Sequence, residues 1–142
     1  MTRLRHILCV SILLIPMTIL ALSTSVLSAS RDIKVFNYSG KIRHCVFIRF
    51  KPEINETDKK AIYFKIFALK DRIDGMLNVT FGKNVNKEGL DHGYSDGFTV
   101  DFLNLAARDR YLLNAEHQEA GASIVAAAIE GRRGVFVFDL QL

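Results

Sequence analysis

The chain has 142 residues, of which 49% are hydrophobic, which is enough for one domain and too few for two of ordinary size. Its formal net charge is +4, from 19 Lys and Arg against 15 Asp and Glu. These charges are interspersed, so the sequence offers no basic patch of the kind that binds nucleic acid.

The first 29 residues have the order of a secretory signal peptide. Arg3 and Arg5 precede an apolar run from Ile7 to Leu22, and small residues dominate positions 23–30. We therefore predict a cleaved signal peptide over residues 1–29, export to the periplasm or the medium, and no stable membrane association afterwards. The alternative is an uncleaved membrane anchor. The run has about 16 residues, fewer than the roughly 20 that span a bilayer, and it contains Pro16.

Residues 30–41 are polar and mixed, and we interpret them as a tail before a single domain over residues 42–142. The first strand is predicted over residues 42–50. Its alternation places His44, Val46 and Ile48 on one face and Cys45 and Phe47 on the other. Both faces are largely apolar, which is typical of a sheet that is buried on both sides.

A helix is predicted after Pro52, with Asn55 or Thr57 as its N-cap and Gly75 beyond its end. Its inward stripe consists of apolar residues at helical spacing: Ile62, Tyr63, Ile66, Phe67, Leu69 and Ile73.

The second strand is predicted over residues 76–82, with Leu77, Val79 and Phe81 on one face. A polar loop over residues 83–94 leads to a third strand over residues 96–102. Helical stretches over residues 105–113 and 117–130 precede a last strand over residues 135–140. The order β-α-β-β-α-β predicts an α+β, ferredoxin-like subunit with a four-stranded antiparallel sheet and helices on one face.

The sheet face turned away from the helices carries aromatic side chains. If His44 points toward the helices, then Phe47, Phe136 and Phe138 lie on the opposite face. An exposed aromatic surface of this kind indicates a partner. A second copy of the chain, packed sheet to sheet about a two-fold axis, is the simplest one.

The mature chain keeps one cysteine, Cys45, and three histidines, without HExxH or CxxC spacing. It also lacks the glycine patterns that bind nucleotide phosphates and the GxSxG turn of serine hydrolases. We therefore expect no metal and no cofactor.

Five segments together resemble the stress-responsive A/B-barrel (Dabb) family. They are residues 43–52, residues 81–84, the Gly93-Tyr94 turn, residues 111–118 and residues 135–139, and the similar region extends from about His44 to Leu140. The resemblance implies a homodimer in which two ferredoxin-like sheets meet to form a dimeric α/β barrel. It also implies a varied biochemistry, which includes plant polyketide cyclase-like members that need no cofactor.

The positions that matter in the cyclase-like members fall here on His44, Tyr111, His117 and Asp139. Asp96 stands where a cyclase has a histidine. A histidine held by a carboxylate is a competent general base, and a tyrosine hydroxyl can donate to an enolate oxygen. Our hypothesis is that His117 is the base, that Asp139 orients it, and that Tyr111 and His44 polarise a carbonyl.

Three functions remain open on the sequence. The first is a stress-response module that binds a small apolar or aromatic ligand between helices and sheet. The second is a cofactor-independent lyase or cyclase that removes a proton alpha to a carbonyl. The third is a structural dimer in which the His117–Asp139 pair only stabilises the fold. Residues expected to line the pocket are Val46, Ile48, Ile62, Tyr63, Ile66, Val79, Asp96 and Phe98.

Overall fold

A computed structural model describes residues 39–142 of the chain. The predicted signal peptide and residues 30–38 of the predicted tail lie outside this range. Within it, no helix has the length and apolar character needed to cross a membrane.

The strands are β1 (Ile42–Ile48), β2 (Met76–Lys83), β3 (Asp96–Phe102) and β4 (Val135–Gln141). The helices are α1 (Glu56–Phe67), α2 (Leu105–Leu113) and α3 (Ala115–Ala127), and a short 3-10 helix covers Gly131–Gly134 before β4. The predicted order of elements is confirmed. The first strand ends two residues early, because Phe50 leaves the sheet and forms an isolated bridge with Ala128.

All strand pairs are antiparallel, and the sheet order is β2-β3-β1-β4. The two middle strands are β3 and β1, and β2 and β4 are the edges. This order and the helices on one face confirm the ferredoxin-like fold. The register places His44 of β1 directly opposite Asp139 of β4 and Val100 of β3.

Helix α1 begins with a capping box. The Asn55 side chain accepts from the backbone N–H groups of Thr57 and Asp58, and the Asp58 carboxylate accepts from the Asn55 N–H. Tyr63 and Ile66 are buried, whereas Phe67, the last residue of the helix, is exposed. Leu69 and Ile73 are also buried, in the turns that follow α1 rather than in the helix.

Strand β2 departs from the predicted alternation at its start. A register shift between Met76 and Asn78 turns both Met76 and Val79 inward, while Leu77 remains exposed. A bulge of this kind adds one residue to one strand and breaks the two-residue period.

The two faces of the sheet have different surroundings. The face that carries Val46, Val100 and Phe102 is covered by the helices and buried. On the other face Phe47, Phe136 and Phe138 are 40%, 48% and 51% exposed, respectively. Phe47 and Phe136 stack with ring centroids 6.1 Å apart. The predicted aromatic surface on the outer face is therefore present.

Candidate active site

The centre of the site is a pair of side chains on neighbouring strands. The Nδ1 atom of His44 lies 2.7 Å from Oδ1 of Asp139, and His44 is 5% exposed. Because an ionised carboxylate can only accept, Nδ1–H donates to Asp139. The lone pair of the neutral ring is then on Nε2. Within residues 39–142, Nε2 makes no hydrogen bond.

The predicted pairing of His117 with Asp139 is wrong. Strand register places His44, not His117, opposite the carboxylate. His117 lies in the first turn of α3, where its backbone N–H donates to the Asn114 side chain over 3.0 Å. Its ring packs on Tyr111, with centroids 3.9 Å apart. The carboxylate therefore orients the histidine that was expected to polarise a carbonyl.

A third residue, Arg108, binds the carboxylate of this pair. It was not predicted as a site residue from the sequence. Its guanidinium on α2 donates to Oδ2 of Asp139, the oxygen that His44 leaves free. Arg108 lies three residues before Tyr111, so the two share a helix face. That spacing is the sequence signal that could have found Arg108. Asp139 is thus held from both sides, by a strand residue and a helix residue.

Both histidines are neutral near pH 7. Burial lowers the pKa of His44; Asp139 acts in the opposite direction and the positive charge of Arg108 adds to the lowering. Burial also lowers the pKa of His117, and the neighbouring His44 lowers it further. A hydrogen bond with the Leu112 backbone acts in the opposite direction. A neutral imidazole has a free lone pair, so His44 can accept a proton at Nε2.

Tyr111 packs between the two histidines and the sheet. It is fully buried, and its ring lies edge-on to His44 with centroids 5.7 Å apart and 5.1 Å from Phe102. Burial raises the pKa of its hydroxyl, which therefore keeps its proton. Within the described residues, the Tyr111 hydroxyl and Nδ1 of His117 are buried without a hydrogen-bond partner. Unpaired buried polar atoms are rare, so both atoms have hydrogen-bonding capacity that the described residues leave unused.

An open cleft of about 880 Å³ adjoins these groups. Its α3 wall contains the small residues Gly121, Ala122 and Ala126, which leave room against the sheet. The other residues that line it are His44, Val46, Ile66, Phe98, Tyr111, Leu112, His117, Gln118, Ile124, Val125, Arg132, Val135 and Val137. Of the predicted pocket residues, Val46, Ile66 and Phe98 line this cleft.

The remaining predicted pocket residues lie elsewhere. Ile48, Tyr63 and Val79 belong to the buried core, and Ile62 packs against that core. They fill the space between α1 and the sheet, so the sequence prediction extended the pocket too far along the strands.

Asp96 is also outside the cleft. It pairs in register with Ile48, four residues along β1 from His44, which is about 13 Å at strand spacing. It is 4% exposed, and its Oδ2 accepts from Nζ of Lys59 at 3.0 Å and from Oγ of Ser95 at 2.7 Å. The expectation that it faces the same ligand as His44 is therefore wrong.

No group of three or more His, Cys, Asp or Glu side chains in residues 39–142 has the arrangement of a metal site. Cys45 is a free, buried thiol on the outer sheet face.

Residues 42–142 match the family described as Stress responsive A/B Barrel Domain. Olivetolic acid cyclase of Cannabis sativa is 26% identical over 76 residues, which is 54% of this chain and 75% of the cyclase. A dimeric ferredoxin-like protein of unknown function from Jannaschia sp. CCS1 superposes with a TM-score of 0.68 at 27% identity, over 72% of this chain and all of the other. Hydroxynitrile lyase from Passiflora edulis superposes with a TM-score of 0.64 at 16% identity, over 73% of this chain and 94% of the lyase, a likeness of fold.

Proposed function

The chain belongs to the stress-responsive A/B-barrel domain family, and from that premise we propose that it removes a proton alpha to the carbonyl of a small, largely apolar ligand, with His44 as the base. The observation that carries this proposal is the hydrogen bond between Nδ1 of His44 and Oδ1 of Asp139, which is 2.7 Å long and lies partly buried beside the cleft. A base of this kind contributes about 10² to 10⁴ in rate.

In the proposed step, Nε2 of His44 takes the proton and the C–H electrons move into the carbonyl, which becomes an enolate. Asp139 stabilises the imidazolium that forms, and Arg108 keeps the carboxylate in place. The unpartnered Tyr111 hydroxyl donates a hydrogen bond to the enolate oxygen. The enolate then attacks a second carbonyl, as in ring closure, or is reprotonated by His44.

The relative from Cannabis sativa is named for a ring closure, which agrees with this chemistry. All groups that the proposed step needs are supplied by the chain, so it requires no cofactor.

Exchange of α-protons tests the proposal without knowledge of the natural substrate. Acetophenone and cyclohexanone are incubated with the protein in D2O, and loss of their α-proton signals is followed by NMR. We expect the wild type to accelerate exchange and His44→Ala to lose about 10² to 10⁴ of that acceleration. The matched control is His92→Asn, which removes an imidazole from the β2–β3 loop at a φ of 49° that asparagine tolerates. Equal exchange by His44→Ala and the wild type would show that His44 is not the base.

A second candidate is ligand binding without chemistry, which the mainly apolar lining of the cleft favours. It predicts saturable chemical-shift changes at residues such as Gly121 and Ala126 when acetophenone is added, with no exchange above the buffer rate. Binding with exchange supports the base, and binding alone supports this candidate.

We propose a homodimer that packs through the outer sheet face. The exposed Phe47, Phe136 and Phe138 supply the apolar surface, and the Jannaschia neighbour is dimeric. Sedimentation of the wild type is expected to give a dimer at micromolar concentration, and Phe136→Lys a monomer. Leu113→Lys, at an exposed position on α2, is the control that should remain dimeric.

We propose export as well, on the basic and apolar order of residues 3–22. N-terminal sequencing of the protein from its own host is expected to begin near residue 29 or 30. A protein that begins at Met1 would contradict cleavage.

A further inference from the structure

The charges around the cleft are distributed unevenly. Its lining contains no acidic residue, and its two histidines are neutral near pH 7 because burial lowers the pKa of each. Arg132 is therefore the one lining residue within the described part of the chain that carries a full charge. An apolar cleft with a single cation has a positive potential that favours an anionic ligand.

Arg132 has no competing partner. Its side chain forms no hydrogen bond or ion pair within residues 39–142, in contrast to Arg108, which binds Asp139. The acid nearest to it in the chain, Glu130, is directed to Arg49, with 3.6 Å between the charged atoms. The guanidinium thus keeps its donors for another molecule.

The segment that carries Arg132 is held in place on both sides. The Ile129 N–H donates to the Arg49 carbonyl at 2.8 Å, and the Arg49 N–H donates to the Gly134 carbonyl at 2.9 Å. A Cβ at Gly134 would collide with the Ile129 carbonyl, so only glycine allows this close turn. A cation on a fixed segment loses less freedom when it binds than one on a free loop.

Arg132 and His44 line the cleft from backbone positions that are well separated along the strands. Asp139, the partner of His44, is four residues from Val135 along β4, about 13 Å at strand spacing, and Arg132 comes three residues before Val135. A molecule that reaches both must be elongated. Its reactive carbonyl is near His44 and its anionic group is near Arg132.

We propose that the ligand of this cleft is an elongated apolar keto acid, whose carboxylate is bound by Arg132. This inference rests on the proposed function, and it adds the class of substrate to it. Arg132 acts as a binding residue that fixes which end of the molecule meets the base.

The test uses an oxo-undecanoate whose methyl ketone is at the far end of the chain from the carboxylate, and its methyl ester. Binding of both is measured by calorimetry for the wild type, Arg132→Gln, Arg132→Lys and Arg133→Gln. Arg133 is the matched control, because it lies in the same 3-10 helix and is exposed but does not line the cleft.

We expect the wild type and Arg133→Gln to bind the acid about fivefold more tightly than the ester. The preference should disappear in Arg132→Gln, be retained in part in Arg132→Lys, which keeps the charge without the planar fork, and weaken with added salt.

Equal binding of acid and ester by the wild type would overturn the inference and leave the proposed proton abstraction standing. A preference that survives in Arg132→Gln would likewise overturn it. If neither compound binds and acetophenone exchange is also absent, both proposals are wrong.

Discussion

Two acid–base pairs lie in the layer between the helices and the sheet, and they differ in the partners that each carboxylate binds. At one end, Asp96 accepts from Lys59 and from Ser95, at 3.0 and 2.7 Å. At the other end, Asp139 accepts from His44 at 2.7 Å and from Arg108 on its other oxygen. Asp96 accepts both of its bonds on Oδ2, whereas Asp139 accepts one on each oxygen.

The difference lies in the partners. Lys59 is a permanent cation that also contacts Glu56 at 3.3 Å, and Asp96 lies outside the cleft. His44 is neutral and has a second nitrogen, and it adjoins a cleft with the unpartnered Tyr111 hydroxyl. A buried charged pair by itself therefore does not indicate a catalytic site. The useful sign is unused hydrogen-bonding capacity that faces a cleft.

The largest expected effect concerns the carboxylate at the cleft. Asp139→Asn should reduce α-proton exchange of acetophenone by about 10³-fold, because an amide can donate to Nδ1 and favour the tautomer whose Nε2 is protonated. Exchange measured by NMR on equal amounts of folded protein checks this. A loss smaller than about tenfold would show that the tautomer of His44 does not matter.

The pair of Lys59 and Asp96 should affect stability rather than proton exchange. Lys59→Met leaves Asp96 buried without its cation, and we expect the free energy of unfolding in urea to fall by about 3 kcal/mol. The double variant Lys59→Met with Asp96→Leu should recover most of this, since no charge is left buried. Exchange of acetophenone by folded Lys59→Met should equal that of the wild type. A large loss of exchange would mean that the two ends are coupled.

Acid should destabilise the folded protein through the two histidines beside the cleft. Folding lowers the pKa of His44 and His117 below the value of about 6.5 in the unfolded chain, so the unfolded state binds more protons once the pH falls below 6.5. Their contribution to stability is present above that pH and is lost as the pH falls through the folded pKa values. The slope is at most about 1.4 kcal/mol per pH unit for each histidine. Urea unfolding at graded pH should show a shallower slope in His44→Gln, and an unchanged slope would contradict the assignment.

The smallest effect is expected from the cation behind the carboxylate. The positive charge of Arg108 lowers the pKa of His44, so Arg108→Met should raise that pKa. The exchange rate, which rises as His44 loses its proton, should then rise at a higher pH than in the wild type. Arg110→Met is the control, because Arg110 lies on the same helix and pairs with the exposed Asp74. A shift of equal size in both variants would assign it to a general change of charge.

The fold was predictable because its signals are local. Strand alternation placed His44 and Val46 on the same face, which is the buried one, and Asn55 was one of two predicted caps for α1. The bulge at Met76 was not predictable, since one extra residue in a strand leaves no sequence pattern that differs from ordinary alternation.

The site was only partly predictable for a related reason. The sequence indicated that His44, Tyr111, His117 and Asp139 belong together, but not which histidine meets the carboxylate. Cross-strand register decides that, and it pairs residue 44 with residue 139. The same register separates Asp96 from His44 along the strands.

The central claim, that Asp139 holds His44 with its Nε2 lone pair free, is tested most directly by nitrogen-15 NMR of the histidine side chains across pH. We expect His44 to be the Nδ1–H tautomer with a pKa below about 6.5, and Asp139→Asn to change that tautomer. A protonated Nε2 in the neutral ring, or a pKa of His44 above 6.5, would contradict the account.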